Sequence, residues 1–172
     1  GNACIKAIKK KRYNVSTFDP KFKNLNLINK KNTDVIFNAL HGKNGEDGIA
    51  QSYFEYLKIP YTHSGVISSY NSMNKIISKE ILTKNKIKTT KYHDTKKKEF
   101  NIQKLKKNIN KKKIKFPIVV KPVNEGSSLG VKICKNIQIL SRESKKLFKK
   151  YDQLIFEEYI AGQEIQVAVI NN

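Results

Sequence analysis

The sequence has no long apolar run and little cysteine. No apolar stretch approaches the roughly 18–20 residues that a membrane-spanning helix needs. The first apolar segment is short and is followed by the basic run 9–12, which is not the pattern of a signal peptide. Cys4 and Cys134 lie far apart and outside any CxxC or Cys/His cluster, so we expect buried or half-buried free thiols. These absences favour a soluble, cytoplasmic protein.

Arginine is scarce although the chain is strongly basic. Of 35 basic residues only Arg12 and Arg142 are arginines, and the formal net charge is +21. Recognition of nucleic-acid bases and phosphates favours the arginine fork, and here lysines are spread along a chain rich in Asn and Ile. We interpret most of the charge as solvated lysine of the kind that an A+T-rich coding sequence produces. A basic nucleic-acid-binding module is the alternative from another class.

The common nucleotide and hydrolase motifs are absent, since the sequence contains no GxxxxGK[ST], GxGxxG, HExxH or GxSxG segment. Residues 35–40 form a continuous, β-branched apolar run, which predicts a strand buried on both faces, as in a parallel sheet. Residues 41–48 favour a turn, and a helix with Asp47 as its N-cap is expected after them. Helical spacing also predicts a helix over residues 3–11 and a single amphipathic helix over residues 69–84.

The second half of the chain indicates a β-hairpin with helices around it. Residues 116–122 form an apolar strand with proline near both ends, and residues 131–134 form the returning strand after a glycine-containing turn. We expect a further helix over residues 137–149 and strands over residues 153–159 and 164–170. The last strand should be half-buried, because polar and apolar residues alternate along it.

Lys121 lies inside the first hairpin strand, between Val120 and Pro122. Burying an ammonium group without a partner is costly, so this side chain either reaches solvent at an edge or meets an anion. The turn that follows, residues 126–130, is rich in glycine and serine. Backbone N–H groups in such a turn can bind a phosphate, although a hairpin turn without a ligand is the commoner case.

Carboxylates stand at the end of the strand at residues 153–159. Glu157 and Glu158 follow its apolar core, and Glu164 begins the next strand. Such positions are common on protein surfaces, but carboxylates are also what holds a ribose hydroxyl or an adenine amino group. His41, at the end of the 35–40 run, has an ordinary interpretation as a histidine whose ring bonds to the backbone.

Four segments, taken together, have the order and spacing typical of one family. They are residues 35–42 with 45–48, residues 59–66, residues 116–122 with 125–131, and residues 155–164. The chain resembles the D-alanine–D-alanine ligases of the ATP-grasp superfamily, and its HG…GEDG and EGSS segments distinguish this family from other ATP-grasp enzymes. The resemblance covers nearly the whole chain and is weakest over residues 17–32 and 94–113.

The resemblance implies a fold of α/β and α+β parts. Residues 1–65 would form a pre-ATP-grasp parallel α/β domain that is incomplete at its start. Residues 66–157 would form the ATP-grasp central subdomain, and residues 158–172 the opening strand of a truncated ATP-grasp C-terminal subdomain. The strand at residues 35–40 and the hairpin at residues 116–134 should therefore lie in separate sheets.

The resemblance also implies an activity. The family joins two D-alanines at the expense of ATP, through an acyl phosphate, and so supplies D-alanyl-D-alanine for peptidoglycan synthesis, cell wall biogenesis and cell shape. It implies Mg²⁺ or Mn²⁺ in the full-length enzyme, ATP and D-alanine as partners, a homodimer, and neither nucleic acid nor membrane as partner. This 172-residue chain is expected to be inactive alone. Alternatives are a D-alanine–D-lactate ligase, another ATP-grasp ligase, a nonfunctional remnant and the nucleic-acid-binding module, which salt-dependent DNA binding stronger than ATP binding would favour.

The resemblance assigns roles to residues that match the family's motifs. Lys75 and Lys121 look like the two lysines that contact the ATP phosphates, and His41 looks like the histidine of the substrate site. Ser127 looks like the serine that organises the catalytic hydrogen bonds. The remaining nucleotide contacts fall in the phosphate loop (Glu125, Gly126, Ser127, Ser128), the adenine segment (Glu157, Glu158, Tyr159, Ile160) and the ribose position (Glu164).

The chain departs from the family in two respects. Family members usually carry Met-Asp-Lys where this chain has Met73-Asn74-Lys75, so the lysine is kept and a change of helix electrostatics is expected. The family's N-terminal glycine-rich loop, its transition-state arginine and its acidic and asparagine metal ligands have no counterpart here. No metal ligand is therefore assigned within the chain, and the ligands are expected beyond Asn172.

Overall fold

The computed structural model describes residues 1–169. The chain divides into two compact units, residues 1–73 and residues 74–172. Among the described helices, none combines the length and the apolar character needed to cross a membrane. The proposed domain boundaries after residues 65 and 157 stay predictions.

The first unit is mainly helical. Its helices are α1 (Asn2–Lys10), α2 (Ile49–Tyr56) and α3 (Val66–Met73), with a short 3-10 helix at Leu25–Leu27. The helix predicted over residues 3–11 is thus confirmed. Asp47 lies one residue before the N-cap, which is Gly48, and its carboxylate accepts the N–H of Ile49 at 3.2 Å. The buried apolar side chains described in this unit are those of Ala50, Phe54 and Ile59.

The buried strand predicted over residues 35–40 is wrong. The segment makes one parallel bridge, between Ile36 and Tyr61, and no longer ladder among the described residues. Val35 and Phe37 are 62% and 51% exposed. A strand buried on both faces needs neighbouring strands and covering layers. In residues 1–169 the segment around Tyr61 supplies one bridge to this run, so Val35 and Phe37 stay exposed while Ile36 and Leu40 are half-buried.

The second unit is built on a four-stranded antiparallel sheet. Its strands, in the order β1-β4-β2-β3, are β1 (Tyr92–Lys96), β4 (Gln153–Glu158), β2 (Ile118–Pro122) and β3 (Lys132–Cys134). Its helices are α4 (Lys75–Lys84), α5 (Ile102–Lys111) and α6 (Ile137–Leu147), with a 3-10 helix at Lys97–Glu99. The predicted hairpin is confirmed, because Ile118 of β2 stands opposite Cys134 of β3.

The two faces of this sheet have different environments. Side chains alternate across a strand, and one face packs with α5 and α6 into a single core. That core contains Ile118, Val120, Cys134, Leu154 and Phe156 from the strands and Leu105, Ile109, Leu140 and Phe148 from the helical segments. The buried state of Cys134 and the half-buried state of Cys4 agree with the expectation for free thiols. Lys121 and Glu157 have the opposite parity and belong to the other face.

The single helix predicted over residues 69–84 is two helices, α3 and α4, and the break falls at Asn74. The Asn74 side-chain oxygen accepts the N–H groups of Ile76 at 3.0 Å and Ile77 at 3.2 Å, so Asn74 is the N-cap of α4. Asparagine caps about as well as aspartate. The departure from the family's Met-Asp-Lys therefore leaves the helix start intact and removes one negative charge.

Two further strand assignments differ from the structure. Strand β1 was not predicted, since its sequence is polar and its burial comes from pairing with β4. The half-buried strand predicted over residues 164–170 is wrong for residues 164–169, where Ile165, Val167 and Val169 are 78%, 81% and 86% exposed. No strand pairs with this segment among the described residues, and Ile170 lies outside them.

Gly130, at the end of the hairpin turn, is predicted to resist substitution. Its φ is +73°, and a Cβ there would stand 2.8 Å from Pro122 Cγ, whereas Gly42 has a φ of +71° and open space around it. Gly130→Ala should lower the free energy of unfolding by about 1–3 kcal/mol more than Gly42→Ala, because only the first adds overpacking to the left-handed backbone. Urea unfolding followed by circular dichroism measures the free energy of unfolding of both variants. Equal decreases would show that the Pro122 ring moves to accommodate the added methyl group.

Candidate functional site

Lys121 and Glu157 are diagonal neighbours on adjacent strands. Val119 pairs with Glu157 and Lys121 with Ile155, which places the two charged side chains on the sheet face opposite the core. Lys121 Nζ lies 2.5 Å from Glu157 Oε2. The Glu157 residue is only 6% exposed. The anion that Lys121 meets within this chain is therefore a buried carboxylate of its own sheet, which satisfies the requirement for a partner.

Lys79 of α4 holds the other oxygen of the same carboxylate. Its Nζ lies 3.0 Å from Glu157 Oε1. It also donates to Thr89 Oγ1 at 2.8 Å and Thr90 Oγ1 at 2.6 Å. Its Nζ stands 5.3 Å from the centre of the Tyr92 ring. Sequence reasoning missed Lys79, although its position four residues after Lys75 places both lysines on one face of α4.

Lys75 lies at the start of α4, where the helix meets the end of β2. Its backbone N–H donates to Val123 O at 3.1 Å. Its ammonium group donates to Val123 O at 3.3 Å and to the Glu125 carbonyl. Burial lowers the pKa of the Lys75 ammonium, and the positive charge of Lys121 lowers it further, while Glu157 and Glu125 act in the opposite direction. These carbonyl contacts place the Lys75 ammonium group at the end of β2, the strand that carries Lys121.

The charges at this place do not balance. Three ammonium groups, those of Lys75, Lys79 and Lys121, face the paired carboxylate of Glu157 and the more distant one of Glu125. Each cation has been taken partly out of water, where its hydration is lost and its repulsion for the others is weakly screened. The local excess of positive charge favours an anion at this face of the sheet.

The hairpin turn follows β2, the strand that carries Lys121. It is closed by bonds from Leu129 N–H to Gly126 O at 3.0 Å and from Val131 N–H to Ser128 O at 3.2 Å. Ser127 and Ser128 have φ values of 48° and 57°, and both side chains are exposed. A left-handed residue other than glycine costs about 1–2 kcal/mol. Positive φ at both central residues is what a primed hairpin turn requires, so this conformation fits the turn itself and leaves both serine side chains open to solvent.

The segment after β4 is partly engaged by the sheet. The Glu158 N–H donates to Lys91 O at 3.1 Å, and the Tyr159 N–H donates to Pro117 O at 3.2 Å. The Glu158 carboxylate lies 3.9 Å from Lys91 Nζ. Ile160 is 64% exposed, and Glu164 is also exposed. Glu164 belongs to the same unit as Lys75, Lys121 and the adenine segment, but it lies on a stretch without regular structure.

His41 belongs to the first unit. Its Nδ1 lies 3.4 Å from Glu46 Oε1, and the side chain is 81% exposed. Glu46 Oε2 accepts the Gly42 N–H at 2.6 Å, and the side chains of Asn38 and Gln51 both donate to the Gly45 carbonyl. Hydrogen bonds within the first unit therefore hold the loop that carries His41, and the imidazole is open to solvent.

Two family models match this chain. The model described as D-ala D-ala ligase N-terminus matches residues 2–64, and the model described as D-ala D-ala ligase C-terminus matches residues 81–172. The chain belongs to the D-alanine–D-alanine ligase family. The second match contains Lys121, the hairpin turn and Glu157, whereas Lys75 and Lys79 lie between the two matched ranges.

Individual relatives agree with the family match. A D-alanine–D-alanine ligase of Pelagibacter ubique is 50% identical over 176 residues, which cover 100% of this chain and 55% of that protein. A D-alanine–D-alanine ligase structure from Bacillus anthracis has a TM-score of 0.79 at 37% identity, over 94% of this chain and 51% of its own. A second structure of that species' ligase, complexed with ATP, has a TM-score of 0.66 at 38% identity, over 77% and 42% of the two chains.

The chain spans about half the length of the curated relatives it matches. The structural likeness confirms the predicted fold class, that of the D-alanine–D-alanine ligases within the ATP-grasp proteins, although the 35–40 strand itself is reduced to one bridge. The roles that the family resemblance assigned to individual residues stay predictions.

The described residues do not form a metal site of their own. Across residues 1–169 no group of three or more His, Cys, Asp or Glu side chains could hold a metal ion. Magnesium prefers several oxygen ligands, and Glu157, the buried acid of the site, already accepts from two ammonium groups. A separate cavity of about 90 Å³ beside His93, Asn101 and Asn108 contains none of the residues that the family resemblance assigned.

Proposed function

We propose that this chain forms the nucleotide-phosphate site of an enzyme that uses ATP to join two D-alanines. The observation that carries the proposal is the placement of two ammonium groups beside the hairpin turn: Lys75 donates to the carbonyls of Val123 and Glu125, and Lys121 lies on the strand that leads into the turn. Phosphoryl transfer is catalysed mainly by positioning and by neutralising charge on the phosphates. Membership of the D-alanine–D-alanine ligase family supports the substrate assignment, and the ATP complex of the Bacillus anthracis ligase supports the nucleotide.

In this proposal the lysines orient the β- and γ-phosphates while a D-alanine carboxylate attacks the γ-phosphorus and ADP leaves. The amine of the second D-alanine then attacks the resulting acyl phosphate, and inorganic phosphate leaves. The acyl phosphate must be protected from water, and the exposed turn made by Glu125, Gly126, Ser127 and Ser128 is suited to cover it. We assign Ser127 to the hydrogen bonds that organise the substrate.

The other assignments follow the family's pattern. We propose that adenine lies against Glu157, Glu158, Tyr159 and Ile160, chiefly through the backbone, because the Glu157 carboxylate is engaged by two lysines. Glu164 is proposed to bind the ribose and His41 to contact D-alanine. Mg²⁺ or Mn²⁺, a cytoplasmic location, a homodimer and a role in peptidoglycan synthesis belong to the same proposal. When bound, the divalent ion would offset phosphate charge.

The experiment uses the complete enzyme, meaning this chain with whatever sequence accompanies it in its natural protein. ATP, Mg²⁺ and D-alanine are supplied with and without D-lactate, and the products are separated by chromatography. We expect D-alanyl-D-alanine and ADP in equal amounts. Preferential formation of the D-alanine–D-lactate ester would favour the alternative ligase. ADP release that does not depend on D-alanine would contradict the proposed reaction.

Ser127→Ala should reduce turnover more than it reduces ATP affinity. The hydroxyl group is assigned to the substrate's hydrogen bonds, so its removal should lower kcat by about 10- to 100-fold and leave the Kd of an ATP analogue within about threefold. Ser68→Ala, an exposed serine of α3, is the matched control. A kcat for Ser127→Ala equal to that of the control would mean that Ser127 is only a turn residue.

A further inference from the structure

The Glu157 carboxylate is shared by two lysines, and only one of them is open to a ligand. Lys121 Nζ holds Oε2 at 2.5 Å with 23% of its side chain exposed, while Lys79 Nζ holds Oε1 at 3.0 Å with 9% exposed. From this arrangement we infer that Lys79 is a positioning residue for nucleotide binding. Its ion pair neutralises the Glu157 carboxylate, which leaves the Lys121 ammonium group available to bind the phosphates. The inference deepens the proposed function and rests on its assignment of Lys121.

Lys79 is not placed to touch the nucleotide itself. Besides Glu157, its ammonium group has the Thr89 hydroxyl at 2.8 Å, the Thr90 hydroxyl at 2.6 Å and the Thr90 carbonyl at 3.2 Å. An ammonium group has three N–H donors, so these acceptors already use all of them. The Tyr92 ring lies at 5.3 Å from the same nitrogen. Glu157 is the partner that Lys79 shares with Lys121, so we expect the effect of Lys79 on ATP to pass through this carboxylate.

The direction of that effect follows from charge balance. With Lys79 present, Glu157 is neutralised from the helix side, and the positive charge of Lys121 is in excess. Without Lys79, Lys121 would be the ammonium group left in direct contact with a buried carboxylate among the described residues, and a phosphate would have to compete with Glu157 for it. Uncompensated buried charges are costly, so Lys121 would stay with Glu157. Removing the carboxylate as well would release Lys121 again.

The test is a double-mutant cycle in the complete enzyme with Lys79→Met, Glu157→Gln and the two changes together. Isothermal titration gives the Kd of adenosine and of a nonhydrolysable ATP analogue for each variant, and thermal unfolding checks that each variant is folded. Lys84→Met, an exposed lysine at the end of the same helix, is the matched control. Adenosine lacks phosphates, so it reports on adenine and ribose recognition alone.

Lys79→Met should weaken the ATP analogue by about tenfold and change adenosine by less than about twofold, and the double variant should recover most of the lost affinity. Equal weakening of adenosine and the analogue, or a double variant no better than Lys79→Met, would overturn the inference. If Lys79→Met does not fold, the double variant provides the test. It must then bind the ATP analogue with a Kd within about threefold of that of the unsubstituted enzyme, and a larger loss of affinity would overturn the inference. If the unsubstituted enzyme binds ATP but makes no dipeptide, the proposed reaction fails while this test still stands.

Discussion

Lys121→Met in the complete enzyme is expected to lower kcat/KM for ATP by about 100- to 1,000-fold, which is the usual effect of removing one group that stabilises charge in a transition state. Lys121 is the more exposed of the two lysines that contact Glu157, and its loss would leave Glu157 paired with Lys79. The negative charge that develops on the transferred phosphoryl group would then lose one of its two proposed cations. Coupled measurement of ADP release over a range of ATP concentrations gives the value.

Lys115→Met provides the matched control for this experiment. Lys115 is an exposed lysine shortly before β2, and no contact places it in the cationic cluster. The control should keep kcat/KM within about twofold of the unsubstituted enzyme. If both variants lose activity equally, the loss reflects the overall positive charge of the protein. If neither loses activity, Lys121 is a structural partner of Glu157 and no more.

Residues 1–172 expressed alone are expected to give no D-alanine-dependent phosphate release. The chain spans about half of its curated relatives, and residues 1–169 offer no carboxylate cluster for a divalent ion. The charge on the γ-phosphoryl oxygens would be met by Lys75, Lys121 and N–H groups of the turn, which omits the metal contribution that such reactions require. The measurement is phosphate release with ATP, Mg²⁺ and D-alanine, with the complete enzyme as positive control. Release well above the rate without protein would mean that the catalytic groups lie within this chain.

The parts of the fold that were predicted correctly are those with local sequence signals. Proline near both ends of β2 and glycine in the turn define the hairpin, and the periodicity of residues 137–147 defines α6. Strand β1 was missed because Tyr92–Lys96 is polar and becomes a strand only through pairing with β4, some sixty positions later. The prediction of a buried strand over residues 35–40 was wrong, because an apolar composition does not by itself provide the neighbouring strands that such a strand needs.

In the site, too, residues with a local sequence signal were predicted and residues defined by distant contacts were missed. Lys121 was identified because an ammonium group within an apolar strand requires a partner, although the partner found here is Glu157 and not a ligand. Lys79 was missed because a lysine in a lysine-rich amphipathic helix has the sequence context of a solvated residue. Its burial comes from Thr89, Thr90 and the sheet, which are distant contacts that helical periodicity does not encode.

The most direct test of the proposed phosphate site is a crystal structure of the complete enzyme with a nonhydrolysable ATP analogue and Mg²⁺. We expect β- or γ-phosphate oxygens within about 3.2 Å of both Lys75 Nζ and Lys121 Nζ, a normal charge-assisted hydrogen-bond range. We also expect Lys79 to stay on Glu157 and the turn at residues 125–130 to cover the phosphates. Phosphates bound elsewhere, with Lys75 still on the Val123 carbonyl and Lys121 still held by Glu157 alone, would contradict the proposed site.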